Sequence, residues 1–126
     1  MQEVIQQVFN DCRRNFIWTP DGVQFGGNHW TSHADEIDGV WRDDCDGFAC
    51  TAAELLIRRG VEPEKVSLIV CQLPAGRHAV CGVMEVENDP YILDNIQRGV
   101  WFHSQLFSYE LVSGANMADK VWRSLQ

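Results

Sequence analysis

The sequence has no uninterrupted apolar run of about 18 residues, the minimum that suggests a membrane-crossing helix, so no membrane partner is expected. Its start, Met1-Gln2-Glu3-Val4-Ile5, lacks the basic and apolar regions of a secretory signal, and a cytoplasmic location is expected. Basic residues are scarce: 10 Lys and Arg stand against 18 Asp and Glu, for a net charge of −8. Such a surface repels a phosphate backbone, which argues against nucleic acid as a partner. No Cys-x-x-Cys pair occurs, so the usual signature of structural zinc is missing. The cysteines number five, Cys12, Cys45, Cys50, Cys71 and Cys81, and an odd count argues against a complete disulfide framework. Repeats, low-complexity tracts and domain linkers are also absent. What is left is a chain of 126 residues, 45% apolar and 22% charged, which suits one domain over residues 1–126 with one core.

The apolar pattern of that domain changes period part-way. Val4, Ile5, Val8, Phe9, Cys12 and Phe16 fall on one face of a helix over 3–16. Gly and Pro break residues 17–43 into loops, with a short helix near 32–38. A helix over 45–59 follows, with Asp44 as its N-cap, Arg58 and Arg59 in its last turn and Gly60 at its stop. From there the period is two. Strands are predicted over 66–73, 78–86 and 91–95, with turns at 74–76 and 88–90, and two more over 99–103 and 107–112. Ser113-Gly114 predicts a break, and 117–124 a short closing helix. Helices first and strands afterwards make an α+β fold.

Cys45 differs from the other thiols by position. Cys12, Cys71 and Cys81 sit in apolar patterns and read as small core residues, and Cys50 reads as packing rather than as a resolving thiol. Cys45 lies in the first turn of a helix, where backbone N–H groups favour a thiolate. A helix terminus supplies roughly 0.3–1 kcal/mol at an exposed site. That is under one pKa unit at about 1.36 kcal/mol per unit. Asp43, Asp44 and Asp46 oppose it, so a cationic partner is required.

Of the histidines His29, His33, His78 and His103, His78 stands at a strand start after a Gly-containing turn, at a sheet end. His29 and His33 have the spacing of metal ligands on a helix, but in their Gly-rich context they read as loop residues. Asp94, late in the apolar strand Tyr91-Ile92-Leu93, needs a partner if buried, and an imidazole N–H would serve. If the two strands pair about Asn88-Asp89, His78 and Asp94 point to opposite faces. If they pair about Glu87, both share a face as diagonal neighbours roughly 7 Å apart. A shared site therefore requires an even register or a bulge.

Trp30-Thr31, Glu36, Asp44-Cys45-Asp46-Gly47-Phe48-Ala49, His78-Ala79-Val80 and Leu93-Asp94-Asn95 together resemble the motifs of bacterial transglutaminase-like cysteine proteinases, in the same order. The resemblance covers roughly residues 28–96. It implies a papain-like, transglutaminase-like fold in which the catalytic helix packs on a small antiparallel sheet, with Cys45, His78 and Asp94 as the triad. It also implies a protein or peptide substrate and a bacterial or phage-encoded origin. Some members bind calcium beside the nucleophile, which draws attention to Asp44 and Asp46, but Gly47 stands where the family commonly has an acidic residue.

The expected activity is a peptidase or amidase working through an acyl-enzyme, with no cofactor. Acyl transfer to an amine on the same triad and a catalytically silent binding module are the alternatives. The oxyanion would accept from the Cys45 backbone N–H and from a second donor. That donor is the Trp30 indole, with Gln24 and Asn28 as rivals.

Overall fold

Ile5, Val8, Phe9 and Cys12 are the buried stripe of helix α1 (Gln2–Arg14), as their spacing predicts. A computed structural model describes residues 2–19 and 30–126. The helix stops before Phe16, which instead opens strand β1 (Phe16–Trp18). The reason is aromatic packing: the Phe16 ring lies 4.7 Å from Trp41 and 5.1 Å from Phe48, centroid to centroid. Strand β1 pairs in parallel with β2 (Trp41–Asp43), so the stretch read as loops holds a small sheet. The short helix expected near 32–38 is a single 3₁₀ turn, Ala34–Glu36.

Helix α2 (Cys45–Arg58) begins where the sequence places it. The Asp44 carboxylate accepts from the N–H groups of Asp46 at 3.0 Å and Gly47 at 3.3 Å. Gly60, at φ +101°, takes the left-handed turn just beyond the helix end, which any other residue would resist. Neither helix is long and apolar enough to cross a membrane, among the described residues.

The remainder builds a six-stranded antiparallel sheet from β3 (Val66–Leu73), β4 (Gly76–Val86), β5 (Asp89–Leu93), β6 (Trp101–Phe102), β7 (Glu110–Asn116) and β8 (Trp122–Ser124). Its order is β6-β5-β4-β3-β7-β8. Both helices contribute to the core on one face, with Phe9, Phe48, Leu56, Val66, Val83 and Leu93 inside it. The other face carries a smaller cluster of Ile69, Cys71, Val80, Ile92 and Tyr109.

Three expectations for this half need correction. The closing helix over 117–124 is a turn followed by β8, because an edge beside β7 offers ladder hydrogen bonds to a segment too short for a stable helix. Ser113-Gly114 does not break the chain; β7 runs through it, and the missing Cβ of Gly114 lets Leu125 pack there. The strand expected over 99–103 shrinks to β6 and passes into a 3₁₀ turn at His103–Gln105.

The turn between β4 and β5 is Glu87-Asn88 rather than 88–90, with Asn88 at φ 65°. Val86 faces Asp89 beside it, but further along Val83 faces Tyr91, Gly82 faces Ile92 and Cys81 faces Leu93. Met84 and Glu85 thus oppose Pro90 alone, which is a bulge in β4. Pro90 suits the spot, since it has no N–H to offer the ladder. Beyond the bulge the strands pair as if about Glu87, the even register that sets His78 and Asp94 on one face.

The junction of β2 and α2 is held by a latch. Asp43 Oδ1 accepts from the Asp44 N–H at 2.7 Å, and Oδ2 lies 2.7 Å from His33 Nε2. The His33 N–H donates to Thr51 Oγ1 at 2.9 Å, and that hydroxyl donates to the Gly47 carbonyl at 2.7 Å. The Asp43 carboxylate fills the space above Gly47, where a Cβ would stand 2.0 Å from Oδ2. Alanine gains about 1 kcal/mol over glycine in a helix interior. Here it must displace the carboxylate and its bonds, so Gly47→Ala is expected to lower unfolding free energy by roughly 1–3 kcal/mol in urea melts. An unchanged or raised stability would show that the Asp43 carboxylate gives up its place beside Gly47 without cost.

Candidate active site

Strand β5 ends its pairing with β4 at Leu93, opposite Cys81. Two residues nearer the start of β4, the Ala79 N–H therefore has no β5 partner. It donates instead to Cys45 Sγ, at 3.5 Å. The first turn of α2 fills the vacated end of the ladder and brings the sulfur to the edge of the sheet. This explains how Cys45 meets His78, although His78 shares its side of β4 with Val80, in the cluster on the far face.

Cys45, His78, Asp44, Asp46, Trp30 and Arg77 line one cleft of about 510 Å³. Cys45 is half-buried, and its thiol points to Asp46 Oδ1 at 3.7 Å. The Asp44 cap engages the N–H groups of Asp46 and Gly47 but not that of Cys45.

His78 Nε2 donates to Asp94 Oδ1 at 2.6 Å. Burial works against the imidazolium, but hydrogen bonds to Asp94 and Cys45 and the charges of both outweigh it, raising the His78 pKa to about 9. Asp94 has no solvent exposure. Both its oxygens are engaged: Oδ1 also accepts from the Ile96 N–H at 3.2 Å, and Oδ2 accepts from the Tyr109 hydroxyl.

Tyr109 is the participant that sequence reasoning missed. Its ring stands edge-on to His78 at 6.3 Å, and its oxygen accepts from Gln97 Nε2 at 3.0 Å. Burial, then donation to Asp94, raises its pKa, so the phenol stays a donor. No spacing rule links positions 94 and 109; only the sheet order, with β7 two strands from β4, brings this part of the chain to the site. His103 Nε2 lies 2.6 Å from the Tyr109 carbonyl and serves to hold it.

The other sequence candidates fall as follows. Trp30 stands at the cleft with its ring 5.3 Å from Trp122. Gln24, Asn28 and His29 lie outside the described residues. His33 belongs to the latch, between Asp43 and Glu36, whose Oε1 is 3.3 Å from Nδ1. Among the described residues no group of three or more His, Cys, Asp and Glu side chains is arranged to hold a metal ion. The Asp44 carboxylate caps helix α2.

The chain shares its fold with Legionella pneumophila LapG. The superposition has a TM-score of 0.76 at 21% identity and spans 91% of this chain and 65% of LapG. The calcium-bound form of LapG gives 0.76 at 22% over the same shares, and the EGTA-treated form 0.76 at 21% over 91% and 63%. No family model matches the chain, and no curated protein matches it either. The α+β, transglutaminase-like architecture that the motifs imply is therefore the one observed, with two helices on a mainly antiparallel sheet.

The remaining thiols are shielded. Burial is the main cause in each case, pushing Cys12 and Cys71 up to about 12 and Cys50 to about 11, and raising Cys81 further. Iodoacetamide near neutral pH is accordingly expected to modify Cys45 ahead of the other four, read by peptide mass spectrometry. Earlier labelling of Cys50 would contradict this account. Tyr109→Phe leaves a buried carboxylate oxygen without its donor and is expected to cost about 1–3 kcal/mol in stability. It should also move the pH dependence of Cys45 alkylation, which a purely structural tyrosine would leave in place.

Proposed function

We propose that this protein is a thiol hydrolase, a peptidase or amidase, with Cys45 as nucleophile, His78 as acid and base, and Asp94 as the group that orients His78. The observation that carries the reading is the 2.6 Å contact of His78 with a fully buried Asp94, in a cleft that the sulfur of Cys45 shares. The motif resemblance and the fold shared with LapG support it. This chain spans only about 65% of LapG, so nothing of that protein's substrates is carried over.

In this reading the Cys45 thiolate attacks the carbonyl carbon, and a carbon–sulfur bond forms. The carbonyl oxygen gains the charge and accepts from the Cys45 backbone N–H and the Trp30 indole. The imidazolium of His78 gives its proton to the leaving amine as the carbon–nitrogen bond breaks. His78 then takes a proton from water, the hydroxide adds to the thioester, and the thiolate departs. Asp94 keeps one ring nitrogen of His78 occupied, so the other faces the sulfur. The Ala79 N–H, which donates to the sulfur, would offset part of the charge on the attacking thiolate.

The sign of the pH dependence follows from the raised pKa of His78. The charged form is fully present below the ordinary value near 6.5 and is lost as pH rises through about 9. Both the stabilisation from the His78–Asp94 pair and the supply of protonated His78 decline there. The expected kcat/KM profile has its upper limb near pH 9, and Asp94→Asn should move that limb to lower pH. Cys45→Ser and His78→Ala are expected to reduce turnover of a casein or peptide-pool substrate at least about 100-fold. Activity that survives Cys45→Ser would sink the proposal. Mass analysis of products with and without an added primary amine separates hydrolysis from acyl transfer.

A further inference from the structure

Most cations of this chain already have partners. Arg14, Arg58, Arg59, Lys65 and Arg123 pair with carboxylates, and Arg13 lies over the Phe9 ring at 5.6 Å. The side chains of Arg42, Arg77, Arg98 and Lys120 have no ion pair or hydrogen bond among the described residues, and of these four Arg77 is the one that lines the cleft. It is exposed, and it stands immediately before His78 in β4. Its backbone is fixed, opposite Gln72 in the β3–β4 ladder. Strand alternation puts it on the same side as Ala79, whose N–H meets the sulfur. Asp44 and Asp46 line the same cleft from the start of α2. Arg77 is the cation that lines the cleft among its described residues, alongside Cys45 and His78.

We propose that Arg77 is a specificity residue that receives a carboxylate of the substrate beside the scissile bond, so that acidic peptides are preferred. The inference rests on the thiol-hydrolase reading and names the substrate class of the same site. A guanidinium presents parallel N–H donors that match a carboxylate. The carboxylate comes either from an Asp or Glu side chain or from a peptide C-terminus.

Two alkylating agents of nearly equal size decide the matter without a known substrate: iodoacetate, which is anionic, and iodoacetamide, which is neutral. The ratio of their rates at Cys45 is expected to fall about two- to fivefold in Arg77→Gln and further in Arg77→Glu, in low salt, with circular dichroism verifying the fold. A ratio unchanged in both variants overturns the proposal while leaving the thiol reading intact. Inertness of Cys45 towards iodoacetamide in the parent protein overturns both. Matched quenched peptides identify the carboxylate. A kcat/KM preference of about three- to tenfold for Glu over Gln in C-terminally amidated peptides, abolished in Arg77→Gln, assigns the side chain. The same preference seen only with a free C-terminus assigns the terminus. Equal rates for acidic and neutral peptides of both kinds count against the proposal.

Discussion

The pairing of β4 with β5 carries the rest of the site. Beside the turn, Val86 faces Asp89, a register that continued unchanged would turn His78 away from Asp94. One extra residue opposite Pro90 reverses that outcome. The cost is local, since Pro90 had no N–H to give the ladder. The result is a buried carboxylate that finds an imidazole, a backbone N–H and a phenol, so that both of its oxygens are hydrogen-bonded.

The same strand ending shapes the electrostatics of the sulfur. A helix N-terminus alone is too weak to hold a thiolate against neighbouring aspartates. Cys45 is served by two further groups from the sheet, the Ala79 N–H and the His78 ring. The Ala79 N–H is available because β5 stops at Leu93, and the ring is held in place by Asp94 just beyond that end. The helix and the sheet thus approach the sulfur from two directions.

Much of this was legible in the sequence. The positions of α1 and α2, the cap at Asp44, the β3–β4 hairpin and the α+β order all follow from periodicity and turn residues, which are local signals. The pair His78 and Asp94 could be named, together with the register they require, because strand arithmetic is also local. What escaped were contacts between distant segments. Tyr109 reaches Asp94 only through sheet order, and the Ala79 N–H has no side chain to announce it. Phe16 left its helical pattern for an aromatic cluster assembled from three segments. The end of the chain misled because Trp122 and its neighbours form an edge strand, whose partner β7 was itself expected to stop at Ser113-Gly114.

The contact of Asp43 with Gly47 bears on how such a site can change over time. The volume that a side chain at position 47 would occupy holds the carboxylate of Asp43. Positions 43 and 47 thus share one space although they lie on a strand and on the helix after it. A larger residue at 47 fits only alongside a smaller one at 43, so the two positions can change freely together but not singly.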